Sequence, residues 1–309
     1  METASLPARA VPAGAYGPEG RPDWLDVDWR EHQRWVQIDG HRVNVIEIGE
    51  GPPVLFVHGH SGSWQNWLEN LPAIAAGGRR AIALDLPGFG ESEMPEGRLT
   101  VERWARCLDM LLDALEIESA PVVGNSLGGF ISAEMAIRHP ARVERLVLVT
   151  AAGVSDRYIG LPTKFLARNT VARVERLLNS RGQIPRGQVR TIVSRPRMRM
   201  AALGFVVAHP ERLRAEICVE LLRGAGREAV PDGTAAIMTY DFSHRVPEIS
   251  CPTLIVWGEG DRLVSVASAD RYEELIGDSR KIIYADTGHV PQIERPARFN
   301  ADLEAFLSE

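Results

Sequence analysis

A chain of 309 residues with 45% hydrophobic content can bury a large core, as one large domain or a domain carrying an insertion. Its formal net charge of −6 and pI of 5.8 argue against a generic nucleic-acid binder. Cys107, Cys218 and Cys251 are odd in number and widely spaced, giving no disulfide framework and no metal-ligand spacing, as expected in a reducing compartment.

Residues 1–22 are rich in Ala, Pro and Gly and read as a poorly ordered tail within an N-terminal extension, 1–30. They contain no basic region followed by an apolar run, and no apolar stretch anywhere is long enough to span a bilayer, so a cytoplasmic location is expected. Trp24, Trp29 and Trp35 read as anchors of this entry segment against the core. Strand-like runs follow at Gln33–Ile38, Arg42–Ile48 and Pro53–His58, the first two joined by the hairpin signal Asp39-Gly40. The third run is uniformly apolar, as in a strand buried on both faces, and leads into His58-Gly59-His60-Ser61-Gly62. A helix is predicted over Trp64–Ala76, a strand over Arg80–Asp85, then a turn-rich loop, Asp85-Leu86-Pro87-Gly88-Phe89-Gly90-Glu91-Ser92. Val101, Trp104, Leu108, Leu111, Leu112 and Leu115 repeat with helical period.

Val122-Val123-Gly124-Asn125-Ser126-Leu127-Gly128-Gly129-Phe130 reads as a strand entering a Gly-x-Ser-x-Gly turn and then a helix, Phe130–His139. A nucleophile elbow needs this layout, because the chain reverses so sharply around the central Ser that only small neighbours fit. After the strand Val143–Thr150 the alternation stops. Residues 155–245 show helical periodicity and no convincing buried strand, and strands return at Thr253–Trp257 and Lys281–Tyr284, around helix Val266–Ile276 and before helix Pro296–Leu307. The pattern predicts an α/β core, 31–154 and 246–309, with an inserted helical cap, 155–245. Between Arg157 and Arg214 the cap carries thirteen Lys or Arg against two acidic residues, a balance of +11 that leaves −17 for the remainder. Such asymmetry suits a surface facing anionic lipid, an acidic partner or an anionic substrate, although solvated helix faces with Arg stems covering apolar surface are the simpler origin.

A serine hydroxyl needs a base to take its proton and an acid to orient that base. Asp261, in Trp257-Gly258-Glu259-Gly260-Asp261, and His289, in Asp286-Thr287-Gly288-His289, both follow late strands and supply the order Ser126, Asp261, His289 expected of this elbow. Glu259 is the neighbouring alternative acid, with Asp270 and Asp286 behind it. Backbone N–H groups of Leu127 and His60 are expected to form the oxyanion hole, the His60 imidazole being alternatively a polar contact at the pocket mouth. Trp64, Trp67, Phe130, Phe165, Phe205 and Met238 are candidate apolar linings, each equally readable as core.

Five segments in order, His58–Gly62, Asp85–Ser92, Gly124–Gly129, Trp257–Asp261 and Gly288-His289, resemble those of the α/β-hydrolase fold superfamily, a resemblance that covers about Trp35 to Leu307. The resemblance implies an eight-stranded, mostly parallel sheet with a helical cap after the sixth strand, no cofactor and no metal. Ser126 stands where haloalkane dehalogenases and epoxide hydrolases place Asp. Asn125-Ser126 is similar to the elbow of meta-cleavage-product C–C hydrolases, whereas Val290 departs from the aromatic residue those enzymes commonly carry after the base. The leading expectation is a serine hydrolase of carboxylic esters. C–C hydrolysis of a vinylogous diketo acid and a non-catalytic ligand-binding protein on this scaffold are the alternatives. The expected partner is a small-molecule acyl substrate.

Overall fold

The computed structural model describes residues 12, 14–18, 20–154, 186–223 and 227–309. Eight strands form one sheet in the order β1-β2-β4-β3-β5-β6-β7-β8. They are β1 (Gln33–Ile38), β2 (His41–Ile48), β3 (Pro53–Val57), β4 (Arg80–Leu84), β5 (Ala120–Asn125), β6 (Val143–Val149), β7 (Thr253–Gly258) and β8 (Ser279–Tyr284). Only β2 runs antiparallel to its neighbours, β1 and β4; every other pairing is parallel. The eight-stranded, mostly parallel sheet is therefore as the resemblance implied.

Side chains alternate across the pleat, so each central strand feeds two cores. Leu55, Val122, Leu146 and Ile255 face one side with α2 (Val101–Ala114) and α3 (Leu127–Arg138). Phe56, Val123, Val147 and Leu254 face the other, with α1 (Leu71–Ala76) and the C-terminal helix. Between β6 and β7 the described residues form α4 (Arg186–Ser194), α5 (Pro196–Leu203), α6 (Ala215–Arg223) and α7 (Val230–Thr239), with no strand among them. After β7 come α8 (Ala267–Leu275), the short α9 (Pro291–Glu294) and α10 (Pro296–Leu307).

Three expectations need correction. The helix predicted over Trp64–Ala76 breaks into a 3-10 turn, Trp64–Trp67, and α1. Pro72 has no N–H for the Leu68 carbonyl and sits instead in the first turn of a new helix. Trp24 is buried and Trp29 packs on Trp64 at 5.0 Å, but Trp35 is 44% exposed and only supports Arg42 over its ring. Within the tail read as poorly ordered, Tyr16 is half-buried and Gly17 buried, because the tyrosine finds hydrogen-bond partners on the core.

Candidate active site

The elbow is built by close approach. Ser126 has φ 56° and ψ −117°, a region that non-glycine residues avoid. Three backbone bonds keep it there: its N–H donates to Val149 O (2.9 Å), and its carbonyl accepts from Phe130 (3.1 Å) and Ala152 (3.1 Å). A Cβ on Gly128 would lie 2.3 Å from the Val57 carbonyl, and one on Gly124 2.4 Å from the Gly128 carbonyl. Neither position can carry a side chain without moving the strand or the helix. Ser126 retains 9% exposure at the mouth of this turn. Leu127 opens α3, so its N–H is one of the four that no carbonyl within the helix serves.

His289 is buried, and its Nδ1 lies 2.7 Å from Asp261 Oδ2. A carboxylate only accepts, so Nδ1 carries the proton and Nε2 keeps its lone pair. Asp261 Oδ1 accepts the N–H groups of Leu263 (2.8 Å) and Val264 (3.0 Å), which fixes the carboxylate in turn. The loops that carry Asp261 and His289 touch: Gly260 N–H donates to Thr287 O at 2.9 Å, and a Cβ on Gly258 would sit 2.0 Å from Gly288 O. The elbow joins them through Asn125, whose amide donates to Thr150 Oγ1 (2.9 Å) and to the His289 carbonyl (3.4 Å). Thr150 also donates to that carbonyl, at 2.8 Å. The alternative acids are engaged elsewhere: Glu259 is exposed, Asp270 pairs with Lys281, and Asp286 pairs with His209 and Arg295.

The His60 imidazole does not stand open at a pocket mouth. Its Nε2–H donates to Val230 O (3.0 Å) and lies 3.2 Å from Thr234 Oγ1, both on α7, while Nδ1 accepts from Ser61 Oγ at 3.1 Å. Gly233 is tight against both His60 and Leu127, where a Cβ would lie 2.6 and 3.2 Å away. The ring therefore ties the loop after β3 to the helical block. Of the expected linings, Trp64 is buried against Trp29, and Phe130 is packed against Phe242 at 4.6 Å. Trp67 is wholly buried between Phe56 and Phe299, so it is core and not lining. Met238 is 66% exposed on the outside of α7, another correction. Phe205 is half-buried, one residue before the carbonyl that accepts the His289 N–H. Phe165 lies outside the described residues. A cleft of about 650 Å³ beside the β1–β2 turn, lined by His41, Met94 and Arg103, includes none of Ser126, Asp261 or His289.

Two buried polar residues that sequence reasoning left without a role brace the loop after β3. His58 is fully buried; Nδ1–H donates to Gly59 O (2.7 Å) and Nε2 accepts from Leu86 N–H (2.9 Å), so both bonds require a neutral ring. Burial pushes its pKa down to about 4 against the opposing Gly59 bond, and the neighbouring His60 ring lowers it slightly further. Asp85 accepts from Trp64 N–H (2.8 Å), Asn44 Nδ2 (2.9 Å) and Glu91 N–H (2.8 Å), with its carboxyl pushed up to about 6 by burial. The two titrate with opposite sign. A His with a depressed folded pKa stabilises above its unfolded value of 6.5 and loses that contribution as pH falls toward 4. Asp85 contributes most at low pH and least above 6. A His58→Gln variant keeps Asp85 and isolates the imidazole. Urea titrations should show the wild-type advantage over this variant shrinking by up to about 3 kcal/mol between pH 7 and pH 4. An unchanged or growing difference would contradict the neutral assignment.

The three thiols are poor nucleophile candidates. Burial pushes Cys107 up to about 12 and both Cys218 and Cys251 to about 11, leaving them protonated at neutral pH.

Residues 52–296 match the family described as alpha/beta hydrolase fold. The chain is 32% identical over 282 residues to a 2-hydroxymuconate semialdehyde hydrolase of Pseudomonas sp. strain CF600, spanning 89% of this chain and 94% of the relative. It is 31% identical over 280 residues to a 2-hydroxy-6-oxo-2,4-heptadienoate hydrolase of Pseudomonas putida, spanning 89% and 96%. Among solved structures, a meta-cleavage product hydrolase from Pseudomonas fluorescens IP01 superposes with a TM-score of 0.72 at 24% identity, covering 90% of this chain and 98% of that one.

Proposed function

The chain belongs to the alpha/beta hydrolase fold family, and from that premise we propose that it is a serine-dependent C–C hydrolase acting on a 2-hydroxy-6-oxo-2,4-dienoate. Ser126 is the nucleophile, His289 the base and then acid, and Asp261 the residue that orients His289. The N–H groups of Leu127 and His60 bind the oxyanion, and the described residues 186–223 and 227–245 form a cap over the site; the rest of the expected cap, 155–185 and 224–226, lies outside the described residues. The observation that carries the substrate class is the identity of 31–32% over nearly the whole chain to hydrolases named for such dienoates. Asn125-Ser126 at the elbow supports it.

In this reading Ser126 Oγ attacks the 6-oxo carbon as His289 Nε2 takes its proton. Because C5 must be sp³ for the C5–C6 bond to break, the substrate reacts as its 2,6-dioxo-3-enoate tautomer, in which the 2-hydroxyl proton has moved to C5. The C5–C6 electron pair then passes through the C3=C4 double bond onto the 2-oxo oxygen, which takes the proton held by His289 as the 2-hydroxydienoate product leaves. Water, activated by His289, cleaves the acyl ester on Ser126 and restores the hydroxyl. Arginines of the block between β6 and β7 supply positive charge for the carboxylate that such substrates carry.

Ester hydrolysis is the second reading, favoured by Val290 in place of an aromatic residue after the base. The two separate on one purified preparation given 2-hydroxy-6-oxohepta-2,4-dienoate and p-nitrophenyl esters of graded length. We expect kcat/KM at least about tenfold higher on the dienoate, read as loss of its dienolate absorbance. No loss of absorbance alongside good ester turnover rejects C–C hydrolysis in favour of the esterase.

A further inference from the structure

His289 lies in the middle of three consecutive amides, each held by a group outside the loop. Gly288 N–H donates to both oxygens of Glu294, at 3.0 and 2.9 Å, and Val290 N–H donates to Glu294 Oε1 at 3.2 Å. The His289 N–H between them donates to the Val206 carbonyl at 2.8 Å. Glu294 ends α9 and is wholly buried. Its Oε2 also accepts Ala208 N–H at 2.9 Å and the Tyr16 hydroxyl at 2.7 Å. The Tyr16 oxygen in turn accepts His209 N–H at 2.9 Å. Backbone bonds seat the same N-terminal segment: Gly17 N–H donates to Glu294 O at 2.7 Å, and Arg295 Nη1 to Gly14 O at 2.9 Å. The Tyr16 ring lies between the guanidinium groups of Arg212 and Arg295, each 4.7 Å away.

We propose that Tyr16 and Glu294 are positioning residues for His289, with Gly14–Gly17 acting as a strap that locks the base loop and residues 206–209 into one unit. The inference rests on His289 being the base. A buried carboxylate that takes all its donors from backbone amides and one tyrosine has its position set by them, and it sets theirs. Removing the hydroxyl deprives Glu294 of one donor and His209 N–H of its acceptor, so the carboxylate shifts and carries Gly288 and Val290 with it. The Tyr16 hydroxyl stays protonated, since burial and the charge of Glu294 raise its pKa far above the ordinary phenol value.

Proton transfer depends steeply on placement of the base, whereas ground-state binding does not. Tyr16→Phe keeps the ring and its cation contacts, so it removes the hydroxyl alone. Its kcat, on whichever of the dienoate and the ester is the better substrate, should fall about threefold to tenfold with KM within about twofold. Labelling of Ser126 by a fluorophosphonate should slow in parallel. Glu294→Gln turns one acceptor into a donor facing N–H groups and should cost about 30-fold or more. Adding Tyr16→Phe to it should cost little further, because both act through one device. A merely structural role would lower the melting temperature of Tyr16→Phe while leaving kcat and labelling rate at wild-type values, and that result overturns the proposal. His289→Ala, measured in parallel, separates the two failures. If it stays active the base assignment falls; if it is inactive while Tyr16→Phe matches wild type, only the strap falls.

Discussion

Replacing Ser126 with Ala should lower turnover of the better substrate by roughly 10⁴-fold or more, with the fold and substrate affinity retained. The Ala side chain meets the same positive-φ strain as Ser, and the three backbone bonds at residue 126 do not involve the hydroxyl. The melting temperature should therefore stay within a few degrees of wild type. What disappears is the covalent step, since neither His289 nor Asp261 can form the acyl intermediate. Mass spectrometry after fluorophosphonate treatment should place the adduct on Ser126 in the wild-type protein and find none in the variant. Wild-type turnover by Ser126→Ala, or an adduct elsewhere, would remove the nucleophile assignment and with it both hydrolytic readings.

Asp261→Asn should be nearly as damaging, about 10³-fold to 10⁴-fold in kcat, and for a reason visible in its hydrogen bonds. Oδ1 of Asp261 accepts two N–H groups, from Leu263 and Val264, while Oδ2 accepts from His289 Nδ1. An Asn at this position must keep its single carbonyl oxygen on the two N–H groups. Its NH₂ then faces Nδ1, and the imidazole is forced into the tautomer that carries its proton on Nε2. That nitrogen can no longer take a proton from Ser126. Two backbone bonds thus turn an isosteric change into the wrong base. Kinetics with KM measured separately should show the loss in kcat. A variant within tenfold of wild type would mean that Asp261 does not orient His289, whatever its 2.7 Å contact suggests.

The sequence by itself determined the parts whose physics is local. Apolar runs such as Val54–Val57, Leu146–Val149 and Leu254–Trp257 had to become strand segments covered on both faces, as they are in β3, β6 and β7. Gly124, Gly128 and Gly129 around Ser126 marked the sharp turn because side chains there would collide with neighbouring backbone, as the 2.3–2.9 Å approaches confirm. Chain order then pointed to Asp261 and His289, each on a loop after a strand. Where only tertiary contact mattered, local pattern was silent or misleading. Trp67 and Phe130 looked the same as pocket linings and as core until the sheet closed over them. His58 and Asp85 became buried braces through partners 21 to 41 residues away. Glu294 carries no local signal of a role in the sequence, and Tyr16 reads as part of a weakly structured tail. Their meeting, across 278 residues of chain, is decided by how β8 and α9 present the His289 loop to the N-terminal segment. A hydrogen bond of that span leaves no periodicity in the sequence to read, because neither residue's neighbours need to change for it to form.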